Sequence, residues 1–182
     1  MRKLKNSELN RKTVQEFRKT PKYPVVVILD NIRSLNNVGA VFRTSDAFLI
    51  EGIHLCGITA RPPHREIHKT ALGATDSIHW EYFENTLDAV TQLKEKGYTV
   101  ISIEQAENSL PLPEFEPRDA GKYALVFGHE VKGVQQAVVD RSDYCIEIPQ
   151  YGTKHSFNIS VSVGIVLYHF YYHLHHSRQS FG

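Results

Sequence analysis

An α/β fold, with a mostly parallel sheet flanked by helices, is what this sequence predicts, and three observations carry it. Short apolar runs rich in β-branched residues recur along the chain, as at 25–29 and 123–127, with no charge inside them. Such runs suit strands covered on both faces. Stretches with apolar residues three and four apart lie between them, so strand and helix alternate. The segment 144–172 makes the switch once in full: an apolar strand, a polar loop, then a helical repeat.

The elements follow in order. Residues 7–19 read as a helix, closed by Pro21 and Pro24. A strand over 25–29 leads into a polar loop over 30–37. Val41, Phe42, Ser45 and Phe48 or Leu49 predict a helix over 38–50, with Asn37 as its N-cap. Gly52 ends it, and 53–58 is a second strand. Residues 59–77 are polar and broken by Pro62 and Pro63, with a short helix over 69–74. A third strand covers 78–83. Asn85 caps a helix over 86–96, with Leu87, Val90 and Leu93 spaced for burial and Gly97 at its end. A fourth strand spans 98–103. The acidic stretch 104–121 holds three prolines and reads as a surface loop. A strand over 123–127, a turn over 128–133, a short helix over 134–140 and a strand over 144–148 follow. Pro149 cannot donate to a ladder, so a loop takes 150–155. From Ser156, a good N-cap type, Phe157, Val161, Gly164, Ile165, Tyr168 and Tyr172 mark the last helix.

At 182 residues the chain is expected to form one domain, 25–182, preceded by a basic helical arm, 1–24. The formal charge of +1 hides an asymmetry. Residues 1–22 hold eight Lys or Arg and two acids, whereas the rest holds 13 basic and 18 acidic residues. A basic arm on a mildly acidic body suits a polyanionic partner met at one face, and equally a solvated helix docked through Leu9, Val14 and Phe17. No apolar run approaches the roughly 20 residues of a membrane span. The first residues have no apolar core after their charges, so no secretory signal and no membrane partner are expected. Cys56 and Cys145 sit in separate strand-like runs and are expected as buried free thiols, which fits a cytoplasmic protein.

Three segments place Gly, Asn and a charge just after a strand. The first runs from Asn36 to Thr44, where a helix start with Gly39 and Arg43 suits an anion. The second runs from Phe127 to Gly133 and presents His129 and Glu130 at the sheet edge. It is neither a dinucleotide GxGxxG nor a phosphate-binding GxxxxGK[ST]. The third offers Ser156 and Asn158, and an Asn there is more often a cap than a catalyst. Each segment alone is a weak signal. His169, His173, His175 and His176 lie close on the last helix, but with no HExxH and no Cys partner a polar helix stripe explains them better than a metal.

Together and in this order, the three segments resemble the signature motifs of the SpoU (TrmH-like) class of SPOUT RNA 2'-O-ribose methyltransferases. Asn37, Gly39, Arg43 and Thr44 match the first motif. Phe127, Gly128, Glu130 and Gly133 match the second. Ile148, Pro149, Gly152, Ser156, Asn158 and Ser160 match the third. Phe157 stands where Leu or Met is more common, and His129 where Asn or Ser is frequent. The similarity covers residues 25 to about 174.

The resemblance implies a SPOUT-type fold with a C-terminal trefoil knot and a homodimer packed through the last helix. It implies S-adenosylmethionine bound by Ile103, Glu104, Gly128, Gly133, Ile148 and Phe157. It assigns catalysis to Arg43, Glu130, Asn158 and Ser156, with Arg43 as base or, as we favour, as stabiliser of the developing alkoxide. The expected substrate is RNA, tRNA ahead of rRNA because short members resemble tRNA enzymes, and no DNA. Candidate RNA contacts are Asn37, Arg2, Lys3, Lys5, Arg11, Lys12, Arg33, Arg61 and Arg65, with Lys69. The alternatives are an rRNA enzyme, a catalytically silent RNA-binding protein of the same fold, a nucleotide-binding α/β enzyme, and a base methyltransferase of the wider superfamily.

Overall fold

A computed structural model describes residues 1–118 and 120–180. Its centre is a seven-stranded sheet. The strands are β1 (Tyr23–Asp30), β2 (Ile50–Cys56), β3 (His79–Phe83), β4 (Thr99–Ile103), β5 (Leu110–Pro111), β6 (Tyr123–Phe127) and β7 (Tyr144–Glu147). They lie in the order β3-β2-β1-β6-β4-β7-β5, and every pairing is parallel. All strand ends therefore point to one edge, which is where open α/β sheets hold ligands.

Helices α1 (Val14–Lys19), α2 (Leu35–Ala47), α3 (Arg65–Ala71), α4 (Ala74–Ser77) and α7 (Ile159–Ser180) cover one face of the sheet; α5 (Thr86–Glu95) and α6 (Gln136–Val139) cover the other. The period-two alternation of strands decides which residues meet which layer. Val25, Val27 and Leu29 of β1 face α2 and α7 with Leu125 and Phe127, while Val26 and Ile28 face α5 and α6 with Ala124 and Val126. Burial on both faces is why these runs carry no charge.

Several boundaries differ from the sequence reading, each for a local reason. The first helix starts at Val14 rather than residue 7, because Thr13 and Glu16 form a reciprocal capping box. Helix α2 starts at Leu35: Ser34 is the cap, its hydroxyl accepting from the Asn37 N–H, so Asn37 sits inside the first turn. Gly52 does not end that helix but lies within β2, where the chain passes closely over His79 of β3. In the stretch expected as a plain loop, Leu110–Pro111 pairs with Ile146 and Glu147 as an edge strand. The last helix is capped by Asn158, not Ser156: the Asn158 carbonyl Oδ1 accepts from the Ser160 N–H at 2.9 Å. Both cysteines are free, Cys56 buried and Cys145 only half-buried. Among the described residues no helix is long and apolar enough to cross a membrane.

Candidate active site

At the shared edge, the ends of β4, β6 and β7 and the start of α7 enclose a cavity of about 370 Å³. Ile103, Phe127, Ile148, Phe157 and Ile159 supply its apolar wall; Glu104, Glu130, Glu147, Gln150 and Ser156 supply its polar groups. No Lys or Arg is among the lining residues. The volume falls in the range of small-molecule sites.

One carboxylate holds the cavity's floor together. Glu104 accepts from the Val134 N–H at 2.9 Å through Oε2 and from the Gln105 N–H at 2.9 Å through Oε1. Its own N–H donates to the Ile146 carbonyl, joining β4 to β7. The turn above it is built from glycine. Gly133 has φ +68°, and a Cβ there would stand 2.1 Å from Glu104 Oε2. A Cβ on Gly128 would stand 2.1 Å from the Val134 nitrogen. The chain thus leaves β6 and returns within contact of itself, and His129 and Gly133 exchange two backbone hydrogen bonds. The His129 ring shapes the tip: its Nδ1 accepts from the Val131 and Lys132 N–H groups at 3.0 and 3.3 Å. An accepting Nδ1 leaves the proton on Nε2 of the neutral ring. Beside this floor, burial and the neighbouring Glu104 carboxylate push the Cys145 thiol above its usual range, so it stays protonated and unreactive.

At the cavity mouth three distant segments meet. Asn37 Nδ2 donates to Glu130 Oε1 in a long contact of 3.4 Å, and Asn158 Nδ2 donates to Asn37 Oδ1 at 3.2 Å. Asn158 is held in turn by accepting from the Ser160 hydroxyl and N–H. Each segment was ambiguous alone; one polar side chain from each, Asn37, Glu130 and Asn158, stands in a single hydrogen-bonded row.

The model of the SpoU rRNA methylase family matches residues 24–168. The chain belongs to this family. A putative TrmH family tRNA/rRNA methyltransferase of Staphylococcus saprophyticus is 30% identical over 148 residues, which cover 81% of this chain and 58% of that protein. A tRNA (guanosine(18)-2'-O)-methyltransferase of Borreliella burgdorferi is 29% identical over 141 residues, covering 78% and 63%. The structure of an AdoMet-bound rRNA methyltransferase from Sinorhizobium meliloti superposes with a TM-score of 0.79 at 26% identity, covering 87% of this chain and 60% of that one. The chain spans about three-fifths of the length of these curated relatives.

The expected site residues divide between two places. Ile103, Glu104, Gly128, Gly133, Ile148 and Phe157, expected around a cofactor, all line the cavity, as do Glu130 and Ser156. Arg43 does not. It is exposed on α2, six residues beyond Asn37 and so about 9 Å along the helix axis. There it lines a second groove, about 500 Å³, together with Arg11, Lys12 and Asp46. Gly39 serves packing rather than an anion: a Cβ would stand 2.0 Å from Thr70 Oγ1 and 2.4 Å from the Ile67 carbonyl, so its open side is filled by α3.

Among the other expected RNA contacts, Lys3, Lys5, Arg33 and Arg65 are exposed. Arg2 is paired with Glu8 at 2.8 Å, and Arg61 stands over the Tyr82 ring. Sequence reasoning missed Asp30. It is fully buried at the end of β1, and among the described residues no Lys, Arg or His forms an ion pair with it. It accepts from Thr86 Oγ1, Gln135 Nε2, Asn31 Nδ2 and the Gln135 N–H at 2.6 to 2.9 Å. It ties β1 and the start of α5 to the exit of the Gly128–Gly133 turn. The available signal was an acid directly after an uncharged β-branched run.

Proposed function

We propose that this chain is an S-adenosylmethionine-dependent RNA 2'-O-ribose methyltransferase acting on tRNA. The observation that carries the reading is the row Glu130–Asn37–Asn158 at the mouth of a carboxylate-lined cavity. The lining fits the cofactor. Apolar Ile103, Phe127 and Ile148 suit an adenine ring, and Glu104, Glu130 and Glu147 suit the cationic sulfonium and amino groups. A phosphate-bearing dinucleotide would face those carboxylates with no Lys or Arg to meet it.

The bound cofactor supplies an already activated methyl group. The tasks left to the chain are placing the ribose hydroxyl and handling its proton. A guanidinium is protonated at any physiological pH. Arg43 therefore stabilises the developing alkoxide and holds the adjoining phosphate, and the proton leaves through that phosphate or water. Glu130 and Asn158, both tied to Asn37, orient the ribose, and Ser156 assists at the cavity wall.

Arg43 reaches the cavity from a second copy of the chain. Support comes from the exposed stripe Phe157, Val161, Tyr168 and Tyr172, 40 to 57% accessible, which begins at the cavity and runs along α7. A homodimer covering that stripe would lie against the cavity mouth. The reading carries with it the knotted C-terminal threading of domain 25–182, a cytoplasmic location, and the basic arm 1–24 as an RNA-binding element. Arg2, Lys3, Lys5, Arg11, Lys12, Arg33, Arg61 and Arg65, with Asn37, face the RNA. A tRNA substrate is favoured by the likeness to the tRNA (guanosine(18)-2'-O)-methyltransferase of Borreliella burgdorferi, and rRNA is the alternative.

The test is transfer from labelled S-adenosylmethionine into total tRNA and, separately, rRNA, with digestion to nucleosides. A 2'-O-methylnucleoside from the tRNA pool, lost in Arg43→Ala, is expected. Product from rRNA alone would move the substrate. A methylated base would refute the ribose assignment, and cofactor binding without transfer to either pool would favour a silent RNA-binding protein.

A further inference from the structure

The edge beside the cavity carries a feature that the transfer chemistry does not use. The guanidinium carbon of Arg61 stands 4.0 Å over the centre of the Tyr82 ring. Arg61 is exposed, and among the described residues no carboxylate pairs with it. The ring beneath is fixed: the Tyr82 hydroxyl donates to the Gly57 carbonyl at 2.9 Å, and the Gly57 N–H donates to the Phe83 carbonyl at 3.0 Å. On the same loop Ile58 is 63% exposed.

This loop is braced against the segment that leads into α2. The Ile58 N–H donates to Asn31 Oδ1 at 3.1 Å, and the Thr59 hydroxyl accepts from the Ile32 N–H at 2.9 Å while donating to the Leu29 carbonyl at 3.0 Å. The platform is thus hydrogen-bonded to residues 29–32, which lead into the helix that carries Asn37 and Arg43. In the sheet β2 is two strands from β6, about 10 Å at roughly 4.8 Å per strand, and β3 is one strand further. The platform and the cavity share one edge.

We propose that the Arg61–Tyr82 pair is a stacking platform for an RNA base flanking the target nucleotide, not a phosphate contact. It rests on the RNA reading above. A guanidinium plane on an aromatic ring presents an extended surface that any base can cover, and single-stranded RNA is commonly held this way. A lone phosphate contact needs neither the ring below nor a planar group.

The two roles separate by substitution at the exposed Arg61. The assay is initial-rate methyl transfer into whichever pool, total tRNA or rRNA, accepts methyl from the unaltered enzyme, at several salt concentrations. Arg61→Ala and Arg61→Lys are expected to raise KM for RNA about ten-fold, the lower part of the stacking range, with kcat and KM for the cofactor within two-fold. Arg61→Tyr restores a planar surface without charge and is expected to hold KM within about three-fold, with an unchanged salt slope. If Lys works as well as Arg, or Tyr fails as badly as Ala, the platform is refuted and Arg61 is a phosphate contact. If all three variants match the parent, RNA does not touch this surface. Failure of the parent enzyme to methylate either pool would remove the RNA reading itself and the proposal with it.

Discussion

Gly133→Ala tests whether the floor of the cavity is a single built unit. Two costs follow from its position. An alanine held at φ +68° is destabilised by roughly 1–2 kcal/mol. Its Cβ, 2.1 Å from Glu104 Oε2, also displaces the carboxylate from the Val134 N–H. Val134 is 6% exposed, so that donor is left without water or partner, at about 1–3 kcal/mol. The sum, about 2–5 kcal/mol, corresponds to a fall in Tm of about 4–20 °C for a chain of this size. The same displacement opens the turn, so affinity for S-adenosylmethionine should fall at least about ten-fold. Gly152→Ala is the internal control: it lies in the third motif, its φ is not left-handed, and an added Cβ meets nothing within 4 Å. Differential scanning calorimetry and isothermal titration of the cofactor read both effects. A Gly133→Ala protein melting within about 2 °C of the parent, or one no worse than Gly152→Ala, would refute the argument that Glu104 and Gly133 are coupled.

Other outcomes follow from the same contacts. Arg43→Lys retains the charge but not the fork, so turnover should fall by about 100-fold or more with cofactor affinity unchanged; near-parental turnover would contradict the stabiliser role. His129→Asn keeps an acceptor at the δ position for the Val131 and Lys132 N–H groups and should bind cofactor within about three-fold of the parent, whereas His129→Ala should not. Asp30→Asn puts an NH₂ group against one of four donors and should cost about 1–3 kcal/mol in urea denaturation; equal stability would mean that the network rearranges freely. Burial pushes His54 down to about 4 from 6.5. The unfolded chain then binds the extra proton between these values, so His54's contribution is complete above pH 6.5 and is lost as pH falls towards 4. It amounts to roughly 3–4 kcal/mol. In His54→Leu, which also removes a buried Nδ1 that has no partner among the described residues, denaturation midpoints at pH 7 and 4.5 should differ less than in the parent; an undiminished difference would assign the acid sensitivity elsewhere.

The alternation of the main strands and helices and the identity of the three polar segments were legible in the sequence. Uncharged apolar runs such as 25–29 have one stable environment, a strand covered on both faces, and Gly39, Gly128 and Gly133 of the motifs fall where no side chain fits. Helix starts were less legible. Ser34, Thr13 and Asn158 each compete with neighbouring residues of similar capping power, and only the folded backbone decides which side chain reaches an open N–H. The edge strand β5 was illegible because two residues carry no periodicity and its pairing is with β7, far along the chain. Which residues share a site was decided by tertiary structure alone. Strand order brings residues 104, 130 and 156 around one cavity, while the rise of a single helix carries Arg43 away from Asn37 into another groove. Spacing along a chain records local periodicity, but the distance between charges on separate elements is set by how the sheet is ordered and how its helices cross it.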